Sequence, residues 1–230
     1  MSAVVQPVPG PLPAPERGPA ALADLRERIR RIERRPPRRA DCEATGLVEV
    51  DALLPGGGFP RGTLCEIAGG PGSGKTGLAL AAMARAMREE GLAAFVDGRG
   101  ELYPPAAEAR GVDLARLLVV RPPPSDPRGP ALAALWSAEA LLASGAFEVV
   151  ALELPAADLR RRGAASPEAM ARRLVAAAER GGAVGLWLAA PGGLRVPAAV
   201  RLEVIPGPDG PAVRCAFARA AAPAEARRGP

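Results

Sequence analysis

The chain has 230 residues, a formal net charge of +5 and a pI near 10.0, and 48% of it is hydrophobic, enough for one core of ordinary domain size. Histidine is absent, which excludes Ser-His-Asp catalysis, imidazole acid/base chemistry and histidine metal ligands. The three cysteines, Cys42, Cys65 and Cys215, lie far apart in sequence, so neither a CxxC motif nor a disulfide framework is expected. Of the 30 basic residues only Lys75 is lysine.

In chain order, residues 1–19 are rich in Pro, Gly and Ala without periodicity and read as a disordered lead-in. Leu22, Leu25, Ile29 and Ile32 then recur at helical spacing, and Arg26, Arg28, Arg30, Arg31, Arg34 and Arg35 take the other face. This predicts a basic amphipathic helix over 20–35, stopped by Pro36-Pro37 and joined by a linker up to residue 44. Residues 40–62 carry turn signals. Thr63–Ala68 reads as a buried strand running into a Gly-rich segment, and a helix follows from Gly77 to Glu90, ended by Gly91 at the C′ position.

Further strands are predicted at Leu92–Asp97, Leu117–Arg121, Phe147–Leu154 and Ala183–Ala189. Between them the sequence predicts helices over 104–116 and 131–143 and one opened by Ser166-Pro167-Glu168. Residues 158–165 form a basic loop with Arg160, Arg161 and Arg162. Val200, Leu202 and Val204 alternate, as do Val213, Cys215 and Phe217, predicting a β-hairpin; 221–230 reads as a frayed tail. Alternating strands and helices predict an α/β domain over 45–220 with a mostly parallel sheet. No apolar run spans a bilayer and no signal-peptide pattern opens the chain, so a cytoplasmic protein without membrane contact is expected.

The segment Gly69-Gly70-Pro71-Gly72-Ser73-Gly74-Lys75-Thr76 fits G-x-x-x-x-G-K-[ST] after a strand and before a helix. Its glycines let backbone N–H groups wrap a phosphate, and the helix N-terminus adds partial positive charge. Lys75 is expected on the β/γ-phosphates and the Thr76 hydroxyl on Mg²⁺ of a bound ATP. Such a site also needs an acid at a nearby strand end. Glu153, at the end of VVALE, is the candidate for the metal side, and Asp97 is the candidate for orienting water, with Glu101 weaker.

From residue 45 onward the sequence resembles the RecA superfamily of P-loop NTPases. The resemblance rests on TGLVEVDALLPGGGFPRGTLCEIAGGPGSGKTGLALAAM, on AAFVDGRGELYPPAAEARGVDLARLLVVRPP, on ALLASGAFEVVALE and on AAVRLEV, in collinear order. It implies a RecA-like fold with a C-terminal hairpin. The departures are specific. The family's Asp-x-Glu triplet is here Asp97-Gly98-Arg99, with arginine at the position of the catalytic base. The adenine-stacking tyrosine aligns with Ala106, while Tyr103 lies three residues earlier. The strand acid is Glu153 rather than Asp, and the nucleotide-sensing glutamine aligns with Ala189 or Ala190. The two DNA-binding loops align with 155–167 and with the short Pro191–Pro197.

These departures, with the N-terminal ALADLRERIRRIE helix, make the chain similar to the ImuA family of accessory proteins in damage-tolerance mutasomes. That resemblance implies SOS-linked translesion synthesis with an ImuB-type inactive Y-family polymerase homologue and an error-prone C-family polymerase. RecA, and single-stranded or primed DNA reached through the arginines, are further candidate partners. Loss of a positioned base lowers rate by about 10²–10⁴, so only weak ATP hydrolysis is expected. Two alternatives stay open: a competent DNA-dependent ATPase or recombinase, and a nucleotide-free interaction scaffold.

Overall fold

The computed structural model describes residues 42–88, 90–155, 167–190, 196–207 and 210–219. The expected lead-in, the amphipathic helix 20–35, the loop 158–165 and the tail 221–230 lie outside the described residues.

A short ribbon opens the domain: β1 (Cys42–Glu43) pairs antiparallel with β2 (Phe59–Pro60). Between them lies the four-residue helix α1 (Val48–Asp51). Asp51 fixes this lead-in, because its carboxylate accepts from the Thr45 and Gly46 N–H groups and the Thr45 hydroxyl at 2.7, 3.1 and 2.7 Å. This segment reads as turns in sequence, since two-residue strands carry no detectable periodicity.

The main sheet has seven strands in the order β5-β4-β6-β7-β3-β8-β9. They are β3 (Thr63–Ala68), β4 (Ala93–Asp97), β5 (Leu117–Val120), β6 (Val149–Glu153), β7 (Val184–Ala189), β8 (Val200–Ile205) and β9 (Ala212–Ala218). All pairings are parallel except β8 with β9, which form the predicted hairpin. Helices α2 (Lys75–Met87), α3 (Pro104–Glu108), α4 (Pro130–Ala143) and α5 (Pro167–Gly181) provide the crossovers.

Alternation along the strands separates two cores. Cys65, Ile67, Phe95, Ala151 and Leu186 face the α2 side with Leu80 and Met83. Leu64, Val96, Val150, Leu152 and Trp187 face the other side with Leu135, Leu142 and Leu174 of α4 and α5. The four central strands are therefore mainly apolar on both faces, as parallel strands covered by helices must be, with Glu66 of β3 paired to Arg201 of β8 and the acids Asp97 and Glu153 at the ends of β4 and β6.

Two boundaries differ from the expectation. Helix α2 begins at Lys75 and ends at Met87, and the left-handed residue beyond it is Glu90 (φ 62°), not Gly91. Gly91 is required for a different reason: a β-carbon there would lie 2.3 Å from the Ala86 carbonyl oxygen and 2.7 Å from Glu148 Cγ. Residues 104–116 split into α3, a turn and a 3-10 segment at Leu114–Arg116. No helix among the described residues is long and apolar enough to cross a membrane.

Candidate nucleotide-binding site

The carboxyl ends of β3, β4 and β6 meet at one edge of the sheet, and each delivers a residue of the candidate site. Cross-strand register places Asp97 opposite Glu153, and both side chains fall on the α2 side of the sheet. From β3 the chain turns through Gly69–Gly74 into α2.

The loop is built from glycine where nothing else fits. Gly72 and Gly74 have φ of 70° and 95°, in the left-handed region. A β-carbon at Gly69 would lie 2.3 Å from Ser73 Oγ and 2.9 Å from the Val204 carbonyl oxygen, so the loop is pressed against β8. Its base is tied down by the Gly69 N–H donating to the Ala189 carbonyl at 3.0 Å, and the Ser73 N–H donates to the Gly70 carbonyl at 3.2 Å. Pro211, after the hairpin turn, packs on the other end, within 3.1 Å of a β-carbon placed on Gly74.

What remains is a concentration of donors. Among the described residues, the N–H groups of Gly70, Gly72, Gly74, Thr76 and Gly77 donate to no protein acceptor. Pro71 and Gly72 are exposed, while Ser73 is buried and its Oγ accepts from the Lys75 N–H at 3.4 Å. Unpaired N–H groups around a helix N-terminus form an anion site. Lys75 Nζ stands 2.9 Å from Glu153 Oε1, with both side chains nearly buried. Half-buried Thr76 follows on the first turn. No group of three carboxylate or thiol ligands able to hold a metal occurs among the described residues. A magnesium ion at Thr76 and Glu153 would complete its shell with phosphate oxygens and water, the usual habit of that ion.

Asp97, the candidate for orienting water, lies at the end of β4. Its carboxylate is 2% exposed and accepts from the Glu101 and Leu102 N–H groups, each at 3.0 Å, and from Arg121 Nε at 2.9 Å. These three donors occupy it with holding the turn after β4. Gly98 is packed so closely that a β-carbon would meet the Glu153 carbonyl oxygen at 2.8 Å. Arg99, at the position of the family's base, forms a bidentate pair with Glu101, Nε and Nη2 each 2.8 Å from its carboxylate oxygens. Those hydrogen bonds raise the Arg99 guanidinium above its ordinary value, with lesser support from the charges of Glu153 and Asp97. The same bonds lower the Glu101 carboxyl, aided by Lys75, and make it a weaker proton acceptor.

Tyr103 is 66% exposed and caps α3 by its backbone, and Ala106 is half-buried. Ala189 is buried and holds the loop through its carbonyl, and the Ala189 and Ala190 side chains offer no polar group to a nucleotide. Most of the first expected DNA-binding loop, and residues 191–195 of the second, lie outside the described residues. One cation missed in sequence lies at the site. Arg110 rests on the first turn of α2, a tertiary contact that no local motif announces.

Comparison with known proteins agrees with this geometry. The chain is 42% identical to Protein RecA of Acidothermus cellulolyticus over 121 residues, 53% of this chain and 33% of the relative. It is 38% identical to Protein RecA of Salinispora tropica over 133 residues, 58% and 36% of the two chains. It thus spans about a third of the length of these relatives. Among solved structures, the RadB recombinase superposes with a TM-score of 0.61 at 20% identity, covering 77% of this chain and 90% of that one, a likeness of fold. The family model described as the RecA N-terminal domain matches residues 26–177, and with the phosphate loop, strand order and hairpin in place, the chain belongs to the RecA family.

Proposed function

We propose that this chain is a RecA-like ATP-binding accessory factor in DNA damage tolerance with little hydrolysis of its own. The observation that carries the reading is the contrast within one site. The loop presents unpaired N–H groups and Lys75, the parts a phosphate grip needs, while the expected base position holds Arg99, tied to Glu101. Lys75 and Thr76 bind phosphate and Mg²⁺, and Glu153 serves the metal side once its pairing with Lys75 yields to the nucleotide. Magnesium supplies charge neutralisation at the phosphates. Asp97 supports this site by position, through the turn that presents Arg99 and Glu101.

The role in SOS-linked translesion synthesis rests on resemblance to the ImuA family. So do the ImuB-type and error-prone C-family polymerase partners, together with RecA and primed or single-stranded DNA as further contacts. The deciding experiment is ATP and ADP binding and turnover, with and without single-stranded DNA, for the wild-type chain and Lys75→Ala. The expected result is measurable affinity lost in Lys75→Ala, with slow turnover that DNA does not raise. Turnover strongly stimulated by DNA would establish the recombinase-type reading instead. Absence of affinity at millimolar nucleotide would establish a scaffold.

A further inference from the structure

Arg110 follows α3 and lays its guanidinium on the first turn of α2. A β-carbon at Gly77 would come 3.1 Å from Arg110 Nε and 3.5 Å from Nη2, so the guanidinium lies directly against this residue of the helix. The Arg110 side chain is exposed, and Nη1 donates to the Ala106 carbonyl at 3.2 Å. Among the described residues no carboxylate pairs with it.

Electrostatically this is an uncomfortable position. The N-terminus of α2 carries the positive end of the helix dipole, Lys75 adds a full charge two residues away, and Arg110 adds another. The Glu153 carboxylate is engaged by Lys75. The N–H of Gly77 itself donates to no protein acceptor. A helix terminus, an unpaired N–H and a guanidinium with no carboxylate partner among the described residues, all on one turn, are together suited to an anion with several oxygens.

We propose that Arg110 is a second cationic ligand of the nucleotide, holding the phosphate nearest the nucleoside. This rests on the nucleotide-binding reading above and adds a residue to it. In a loop of this kind the lysine reaches the β/γ-phosphates, and the backbone cradles the α/β-phosphates. Gly77 lies beyond Thr76, so an oxygen shared between its N–H and Arg110 belongs to the nucleoside end of the chain of phosphates. The planar fork suits a phosphate bidentately, which a lysine could not reproduce.

The test measures ATP and ADP binding to the full chain for wild type, Arg110→Met, Arg110→Lys and Lys75→Ala, with thermal unfolding as a folding control. A charge-assisted hydrogen bond at a partly exposed site corresponds to about a tenfold change in affinity. Arg110→Met should therefore weaken ATP and ADP by about the same tenfold, because both carry the phosphate nearest the nucleoside. Arg110→Lys should recover only part of the loss, and the unfolding midpoint should not move. Wild-type affinity in Arg110→Met, or a loss confined to ATP, would overturn the proposal while leaving the nucleotide-binding reading intact. If the wild-type chain binds no nucleotide, or Lys75→Ala binds as wild type does, the underlying reading fails and this proposal with it.

Discussion

Asp97 and Cys65 show how position turns ordinary residue types into determinants of stability. The Asp97 carboxylate is buried and satisfies two backbone N–H groups as well as Arg121. Removing it leaves those donors without an acceptor, so Asp97→Ala should lower stability by about 2–4 kcal/mol in urea unfolding, with Asp97→Asn costing less. A residue acting only on water would change turnover and leave the unfolding curve alone. Burial pushes the Cys65 thiol from 9.0 up to about 12. The folded protein keeps a proton that the unfolded chain releases, so this contribution is complete below about pH 9 and is lost as pH rises toward 12. A thiol reagent at neutral pH should label only the partly exposed Cys42 and Cys215 in the native protein, with Cys65 reacting after denaturation.

At the scale of elements, the amino end of the sheet is fastened by a buried ionic junction. Arg61, just before β3, donates to Glu43 of β1 and to Glu148, which leads into β6. The Glu148 side chain is 2% exposed, so loss of the arginine would leave carboxylates in a poor dielectric. Arg61→Met should cost about 3–5 kcal/mol, read from chemical denaturation. The junction lies at the opposite end of the strands from the phosphate loop, so ATP affinity of the folded variant should stay at the wild-type value. A parallel loss of affinity would mean that β3 and β6 transmit strain along their length.

Across the whole molecule, a charge of +5 and a pI near 10.0 favour acidic partners, while aromatic residues make up only 3% of the chain. The contact with single-stranded DNA proposed above should therefore be electrostatic. Its logarithmic affinity is expected to fall with the logarithm of salt by about 0.7 for each phosphate neutralised, measured by fluorescence anisotropy. Binding that persists unchanged through the salt series would require base stacking, for which the composition provides few side chains.

Much of the architecture was legible locally. The buried strand into GGPGSGKT, the apolar runs ending at Asp97 and Glu153, and the alternating hairpin residues specify their own conformations through turn chemistry and periodicity. The short β1–β2 ribbon left no such trace, and neither did the reason for Gly91, which is a clash with Ala86 and Glu148 rather than a left-handed cap. By itself the sequence determined that a glycine-rich loop of the G-x-x-x-x-G-K-[ST] pattern joins a strand to a helix, because that information lies in consecutive residues. Only the tertiary structure decided which charges meet there. Lys75 faces Glu153, Asp97 is enclosed by backbone donors and Arg121, Arg99 is held by Glu101, and Arg110 is laid over Gly77. Those pairings depend on which strands become neighbours and on how closely glycine lets backbones approach, and neither is written in the spacing along the chain.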